Sequence, residues 1–161
     1  MTTIRVARPA EYPAIGEIAV RAYTEAGSLP SDVDYARVLR DAADRAERAE
    51  LLVALSGDKP LGTVTVVHPG TAYAEIAQPG ELEFRMLAVA PEAAGNGVGR
   101  ALVQAVIDRA REQGLARVVL CVKDTSTTAQ HLYRGLGFER CPDRDWVPAP
   151  GVNLLAFTLD L

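Results

Sequence analysis

The segment PEAAGNGVGRALV, at positions 91–103, contains Gly95, Gly97 and Gly99 directly before an apolar helical pattern. Glycine loses more backbone freedom on folding than any other residue, so its use at a helix start needs a reason. The first turn of a helix has unpaired N–H groups, and the helix dipole adds partial positive charge there. Glycines permit positive φ and let a phosphate reach those N–H groups. The segment therefore predicts a phosphate-binding loop, with a ligand-free glycine turn as the alternative.

Two common phosphate-binding motifs do not fit this loop. The dinucleotide fingerprint requires GxGxxG, whereas here Gly99 follows Gly97 after one residue and precedes Arg100. The nucleoside-triphosphate loop ends in Gly-Lys-Ser/Thr, and that ending is absent. The sequence therefore predicts a phosphate compound that is bound in another way.

The cysteines and histidines are too scattered to form a site. Cys121 and Cys141 have neither CxxC spacing nor neighbouring histidines, so we expect reduced thiols, no disulfide and no metal. His131 is predicted to be a surface residue of a helix, and His68, before a proline, a loop residue.

The elements that must position the glycine loop form an α/β pattern. Strands are predicted at 3–8, 51–55, 61–67, 81–90, 116–123 and 153–161, with a further short segment, FERC, at 138–141. Helices are predicted over 9–27, 28–50, 98–114 and 126–138, and a loop over 68–80. Strand 81–90 alternates so that Glu81, Glu83 and Arg85 share one face.

The composition narrows the class of protein. A chain of 161 residues predicts one domain over 1–161, and a net charge of −4 argues against a nucleic-acid or membrane surface. No apolar run approaches the ~20 residues of a membrane span, and the N-terminus lacks a signal-peptide pattern. We expect a cytoplasmic protein.

Two motifs resemble the GCN5-related N-acetyltransferase (GNAT) superfamily. LAVAPEAAGNGVGRALV (87–103) is similar to its motif A, and STTAQHLYRGLGF (126–138) to its Ala-x-x-Leu-Tyr segment followed by Gly-Phe. The resemblance covers nearly the whole chain. It implies a single GNAT-like α/β domain with a mixed sheet of about seven strands and about four helices. It also implies that the fourth and fifth strands splay apart after a bulge.

The resemblance implies an acetyl-CoA site, without a metal, in and around the splayed strands. The backbone around the glycines would hold the pyrophosphate, strand residues would pair with the pantetheine arm, and the second motif would contact the cofactor near its sulfur. The residues implied are Leu87, Ala88, Val89, Gly95, Asn96, Gly97, Val98, Gly99, Arg100, Ser126, Ala129 and Tyr133.

Two positions depart from the family pattern. Ala94 replaces the Gln or Arg that commonly opens motif A, and Ser126 replaces a frequent asparagine. The first departure predicts weaker cofactor binding. Together they keep a second hypothesis open, a non-catalytic acyl-CoA-binding sensor or interaction module of the same fold.

The implied reaction is acetyl transfer to a primary amine by direct attack in a ternary complex. Such an amine is protonated at pH 7, so a base or a water chain must remove its proton. Glu81 falls where histone-type members carry a glutamate base, and Glu83 lies nearer the expected bulge. A backbone N–H near Leu87 is the expected oxyanion donor. Tyr133 is the candidate proton donor to the departing sulfur.

The acceptor has no motif of its own. Trp146 fits either a core cap or a lining of the acceptor pocket, while Asp143, Asp145 and PSDVD at 30–34 give a weak indication of a cationic acceptor. Relatives often dimerise, and the terminal strand 153–161 is a candidate contact for a homodimer.

Overall fold

The computed structural model describes residues 2–27 and 33–161. The strands within these residues are β1 (Thr2–Val6), β2 (Glu50–Ser56), β3 (Lys59–Val67), β4 (Glu81–Val89), β5 (Arg117–Lys123), β6 (Glu139–Arg140), β7 (Trp146–Ala149) and β8 (Val152–Asp160). They form one sheet in the order β1-β2-β3-β4-β5-β8-β6, and β7 also pairs with β8. All pairings are antiparallel except β4 with β5, so the sheet is mixed, as expected.

The described residues form five α-helices and three short 3-10 turns. The α-helices are α1 (Tyr12–Glu25), α2 (Val33–Arg40), α3 (Ala42–Arg48), α4 (Val98–Glu112) and α5 (Thr127–Gly135). The 3-10 turns are Pro9–Glu11, Pro91–Ala93 and Pro142–Arg144. Each turn begins with proline, whose fixed φ suits the first position of a helical turn.

The prediction of a single helix over 28–50 is wrong, because the helix is interrupted at Asp41. Asp41 has φ −84° and ψ 70°, and its side chain accepts a hydrogen bond from the Asp44 N–H at 3.1 Å. Aspartate is a favoured N-cap because its carboxylate satisfies an otherwise unpaired N–H of the first turn. The residue therefore ends one helix and starts the next. Residues 28–32 of the predicted helix lie outside the described part of the chain.

The parting of β4 from β5 is present as expected. Their parallel pairing covers only three positions, which join residues 81–83 to residues 117–119. On the other side of β4, Met86 and Leu87 lie together opposite Val64, so β4 carries a bulge against β3. Met86 has φ 57°, a left-handed conformation that is uncommon for a residue with a side chain. The bulge follows the last β4–β5 pair and bends β4 where the two strands have separated.

Both faces of the sheet are covered. Alternate residues of β2 join two apolar clusters: Leu52 and Ala54 belong to the larger cluster with α4, and Leu51 and Val53 to the smaller cluster with α1 and α3. This arrangement follows from the two-residue period of a strand. Alternate residues of β4 also belong to the larger cluster, and beyond the bulge β4 remains paired with β3.

The C-terminal part differs from the prediction in one element. The exposed strand β7, missed in the sequence, pairs with β8 beside β6. Both edges of β8 are therefore occupied, by β5 on one side and by β6 and β7 on the other. The terminal strand has no open edge over these residues for a strand-to-strand dimer contact.

Candidate active site

A cleft of about 670 Å³ opens where β4 and β5 part. Its walls come from α1, β4, β5 and the start of α5, and the 91–94 turn forms one end. The cleft contains the β4 and α5 residues that the sequence predicted for the cofactor, namely Leu87, Ala88, Val89, Ser126, Ala129 and Tyr133. Two motifs that are about 30 residues apart in sequence therefore meet at one site.

The glycine loop continues directly from the cleft at Ala94. Gly95 and Gly97 have φ 82° and 78°, and a Cβ at either position would meet nothing within 4 Å. Gly97 is the N-cap of α4, so the unpaired N–H groups of residues 98–100 follow it. The two glycines are required by the backbone conformation and leave open space in front of the helix start.

Gly99 has a different role from the other two glycines. It lies inside α4, where a Cβ would come 3.6 Å from side-chain atoms of Val89 and Leu132, an ordinary contact distance. Neither backbone conformation nor close packing therefore requires glycine here. Among the three glycines of the motif, only Gly95 and Gly97 are set by left-handed geometry.

Tyr133 reaches the cleft from α5 and is only 6% exposed. Its ring packs against Phe84, Phe138 and Phe157 with centroid distances of 5.7, 6.1 and 6.4 Å. Burial raises the pKa of the Tyr133 hydroxyl well above its ordinary value. The hydroxyl is therefore protonated throughout the neutral range, which is the state that a proton donor requires.

Glu81 lies at the start of β4 and binds two arginines. Arg144 approaches its Oε1 to 2.8 Å and its Oε2 to 2.9 Å, and Arg117 donates to Oε2 at 3.1 Å. Burial alone would raise the pKa of Glu81, but the hydrogen bonds from Arg144, the Gln78 N–H and Arg117 lower it overall. Glu81 does not line the cleft. Its contacts tie β4 to the 3-10 turn 142–144 and to β5.

Glu83 is fully buried, and one of its carboxylate oxygens holds a loop. Its Oε1 accepts the backbone N–H groups of Glu75, Ile76 and Ala77 at 3.0, 3.1 and 3.1 Å. Its Oε2 is buried and has no hydrogen-bond partner among the described residues. Burial raises the pKa of Glu83, although the three N–H bonds oppose the rise. Glu83 does not line the cleft either.

A polar network on the acceptor side of the bulge was missed in the sequence. Arg85 lines the cleft, and its Nε lies 3.1 Å from the Oε1 of Glu75, in the 68–80 loop. Arg85 also donates to the Tyr73 carbonyl at 3.0 Å. Tyr35 of α2 packs against the ring of Tyr23 of α1, and burial raises the pKa of its hydroxyl although the nearby charge of Arg85 opposes the rise. The predicted loop 68–80 thus places a charged side chain against Arg85, although Glu75 does not itself line the cleft.

Cys121 and Trp146 meet at the β5 side of the same region. Burial, with the nearby negative charge of Glu75, raises the pKa of the Cys121 thiol to about 12, although a hydrogen bond with Trp146 opposes the rise. The protonated thiol is a poor nucleophile, which agrees with direct transfer. Trp146 is 37% exposed and lies beside Cys121, which lines the cleft. Trp146 does not itself line the cleft, so its two predicted roles both stay predictions.

The remaining predicted candidates lie elsewhere. His131 and His68 are exposed, and His68 lies 3.1 Å from Gln113. The Asp145 carboxylate accepts two hydrogen bonds from the Arg140 guanidinium, both at 2.7 Å, so its negative charge is already paired in a salt bridge. Asp143 is exposed. Positions 30–32 of the acidic segment PSDVD lie outside the described residues.

No helix within residues 2–27 and 33–161 has the length and apolar character to cross a membrane. Within the same ranges, no group of three or more His, Cys, Asp or Glu side chains is arranged to hold a metal ion. Cys121 and Cys141 are both free thiols.

The sequence matches the model of the acetyltransferase (GNAT) family over residues 12–138. It is 38% identical over 120 residues to a mycothiol acetyltransferase of Cellulomonas flavigena, an alignment that covers 68% of this chain and 34% of that protein. The chain thus spans about a third of the length of this curated relative.

Solved structures share the whole fold. The PaiA N-acetyltransferase of Thermoplasma acidophilum, in complex with coenzyme A, superposes with a TM-score of 0.77 at 15% identity, over 100% of this chain and 99% of the other. The ribosomal-protein-S18-alanine N-acetyltransferase of Escherichia coli gives a TM-score of 0.72 at 22% identity, over 99% and 94%. At these identities the likeness establishes the fold alone.

Proposed function

The chain belongs to the acetyltransferase (GNAT) family, and from this premise we propose that it transfers the acetyl group of acetyl-CoA to a primary amine by direct attack in a ternary complex. The observation that carries the proposal is the cleft between the parted strands β4 and β5, whose lining includes Ala94, the residue directly before the glycine loop that caps α4. The name of the 38%-identical relative supports acetyl transfer as the reaction. The acceptor is assigned only as an amine.

In this proposal the glycine loop binds the pyrophosphate of acetyl-CoA. The donors are the backbone N–H groups from Gly95 to Arg100, and the positive end of the α4 dipole adds to the attraction. The open space in front of Gly95 and Gly97 supports this role. Ala94 supplies no polar side chain, so backbone donors carry the binding.

The pantetheine arm would lie along β4 beyond the bulge, beside Leu87, Ala88 and Val89. All three residues line the cleft, and β5 no longer pairs with β4 there. The thioester would then lie near the bulge. Leu87 is a bulge residue and has no register partner of its own on β3. This supports its N–H as the donor to the developing oxyanion.

Tyr133 is the proposed proton donor to the departing sulfur. Burial raises the pKa of its hydroxyl, so Tyr133 carries its proton at neutral pH and can donate a hydrogen bond to the sulfur as negative charge develops there. The reference thiol pKa of about 8.5 already makes the thiolate a fair leaving group, so this donation assists the reaction without being essential. Ser126 and Ala129 would border the cofactor on the same helix.

Glu83 and Glu81 were the sequence-based candidates for the base, and both assignments stay predictions. Their contacts favour other roles, since Glu81 binds two arginines and Glu83 holds the 75–77 backbone. Either residue would have to act through another group, because neither lines the cleft.

Calorimetric titration with acetyl-CoA tests the proposal first. The wild-type chain is compared with G97D and G97N, since Asp and Asn tolerate positive φ about equally and differ in charge. We expect micromolar binding by the wild type, about −8 kcal/mol. We expect G97N to bind within about tenfold of the wild type. G97D should bind at least ten times more weakly than G97N, because its carboxylate repels the pyrophosphate.

Equal binding by G97D and G97N would contradict the phosphate site. If the wild type binds acetyl-CoA, transfer is then measured by thiol release with four acceptor classes: a polyamine, an α-amino acid, an amino sugar and a peptide with a free N-terminus. Binding without transfer to any of them would favour the acyl-CoA-binding module over the enzyme.

A further inference from the structure

We propose that Glu75, in the loop between β3 and β4, is the carboxylate that accepts the proton of the acceptor amine. This assignment rests on the proposed acetyl transfer and adds to it the residue that makes the amine nucleophilic. The same geometry makes Glu83 a positioning residue, which acts on the reaction through Glu75.

Glu83 fixes the backbone from which the Glu75 side chain projects. Three consecutive N–H groups, those of residues 75–77, converge on its Oε1 at 3.0 to 3.1 Å. A carboxylate that accepts several backbone N–H groups holds a loop in one conformation. The Arg144 guanidinium donates to the carbonyl of Ile76 and adds a second anchor. The loop is rich in turn-forming residues, yet it is tied to β4 next to Glu75.

The Glu75 carboxylate meets the wall of the cleft through Arg85. Its Oε1 lies 3.1 Å from the Arg85 Nε, and the two side chains are 15% and 18% exposed. Arg85 is the last β4 residue before the bulge, and it lines the cleft. Glu75 does not itself line the cleft, so its carboxylate reaches the site beside Arg85 and through a water molecule.

Charged and titratable groups surround Glu75 from three elements. They are Arg85 and Glu83 on β4, Tyr35 on α2 and Cys121 on β5. Burial raises the pKa of Glu75, the charge of Glu83 adds to the rise, and Arg85 opposes it. A carboxylate with a raised pKa is a stronger base than an exposed one, which narrows the gap to the pKa of the amine.

Other carboxylates near the site are less suited to this step. Glu81 is bound by Arg117 and Arg144, and Asp145 by Arg140. Glu25 lines the cleft from the C-terminal end of α1, where it is exposed to water and its carboxylate is not held by the network. Glu25 is therefore the alternative that the experiment must separate from Glu75.

The proposed step moves one proton and then forms one bond. The ammonium group of the acceptor gives a proton through one water molecule to Glu75 and becomes a neutral amine. Glu75 releases that proton to solvent before the next turnover. The lone pair of the amine forms the N–C bond at the thioester carbon, and the carbonyl electrons move to oxygen. Return of those electrons breaks the C–S bond. The nitrogen then loses its second proton to solvent, and the thiolate takes one from Tyr133, which recovers it from solvent. The products are the amide and free CoA.

The test compares E75Q with E50Q, E25Q and E83Q in the full chain. Glu50 is a matched control, because it pairs with the Nε of Arg109 and its side chain is 29% exposed, away from the cleft. Each variant is examined by its acetyl-CoA Kd and by kcat against pH for an amine that the wild type acetylates. We expect E75Q to lower kcat at pH 7 about 100-fold. Its Kd should stay within about twofold of the wild type, and the acidic limb of its pH profile should disappear.

The other variants separate a base from a structural residue. E50Q should keep the wild-type profile, whereas E25Q should retain the acidic limb of the profile, and E83Q should lower kcat while also retaining that limb. E75D keeps a carboxylate if E75Q folds poorly, so its kcat should lie between those of E75Q and the wild type, with the acidic limb present.

Three results would overturn the assignment: a wild-type profile in E75Q, loss of the acidic limb in E25Q, or an E75D profile without that limb. Failure of the proposed function looks different, since the wild type itself would then bind acetyl-CoA and acetylate no amine at any pH. In that case the Glu75 assignment falls with it.

Discussion

At the scale of single residues, the site depends on side chains whose protonation is set by burial. Tyr133 is surrounded by three phenylalanine rings, and Glu75 is buried between β5 and the polar network around Arg85. Burial disfavours the charged form of each group, so it keeps Tyr133 protonated and makes Glu75 a better proton acceptor. The same physical effect therefore strengthens Glu75 as a base and makes Tyr133 a weak acid, which agrees with an assisting and not an essential role for Tyr133.

We expect the variant Y133F to lower kcat about tenfold, a modest effect because the thiolate is already a fair leaving group. The KM for acetyl-CoA should be nearly unchanged, since the ring that packs against Phe84 and Phe157 is retained. Steady-state kinetics with Y12F as the control checks this expectation, because Tyr12 belongs to the smaller apolar cluster, away from the cleft. A wild-type kcat in Y133F would remove the donor role.

The sequence predicted the cofactor half of this site and not the acceptor half, for a physical reason. Leu87, Gly97 and Tyr133 belong to elements whose spacing is local, so short motifs predict them. Glu75 lies in a loop of turn formers and gains its surroundings only from contacts with β4, α2 and β5. Such long-range contacts leave no pattern in neighbouring residues.

At the scale of elements, the parting of β4 and β5 requires anchors on either side. The bulge at Met86 and Leu87 bends β4, and the first three positions of β4 remain paired to β5. Glu81 strengthens that paired end, because it joins β4 to Arg117 on β5 and to Arg144 in the turn 142–144. The strands can therefore separate at one end and remain fixed at the other.

The hydrophobic periodicity of the sequence predicted the order of the elements. The differences between the predicted and observed elements arise at particular residues. Asp41 divides the predicted helix 28–50 because its side chain caps α3. Met86 adopts positive φ without being glycine, which nothing in FRMLAV indicates. The strand β7 was missed because its residues are all exposed and lack an alternating apolar face.

We expect the variant R144A to lower the free energy of unfolding by about 2–4 kcal/mol, because it leaves a buried carboxylate with one partner fewer. R117A should cost about 1 kcal/mol or less, since the Arg117 side chain is 40% exposed and that of Arg144 only 15%. Urea unfolding at pH 7 measures both values. Equal losses in the two variants would contradict the anchor role of Arg144.

The same unfolding series has a defined pH dependence. The folded pKa of Glu81 is lowered from its ordinary value of 4.5, since the hydrogen bonds from its two arginines outweigh burial. Its contribution to stability is therefore complete above that value and is lost as the pH falls through the lower, folded pKa. The difference in stability between wild type and R144A should shrink over that acidic range.

At the scale of the whole molecule, the cleft is a gap in the sheet that a ligand would close. Beyond Glu83 and Val119 the backbone groups of β4 and β5 no longer pair with each other, and α1 and α5 border the opening. A bound pantetheine arm would contact both halves of the sheet at once. Ligand binding and global stability are therefore coupled through the same residues.

We expect acetyl-CoA at about 100 times its Kd to stabilise the folded chain by about 2.7 kcal/mol, because only the folded state presents the site. For a chain of this size the melting temperature should rise by roughly 5–10 °C. Calorimetric melting of G97N with acetyl-CoA should show at least about half of that rise, since a tenfold weaker Kd still gives about 1.4 kcal/mol. G97D should show about 1–2 °C at the same concentration if its Kd is raised about 100-fold, because the site is then only half occupied. An equal rise in G97N and G97D would mean that the ligand stabilises the fold from another surface, and the coupling between the glycine loop and the parted strands would be lost.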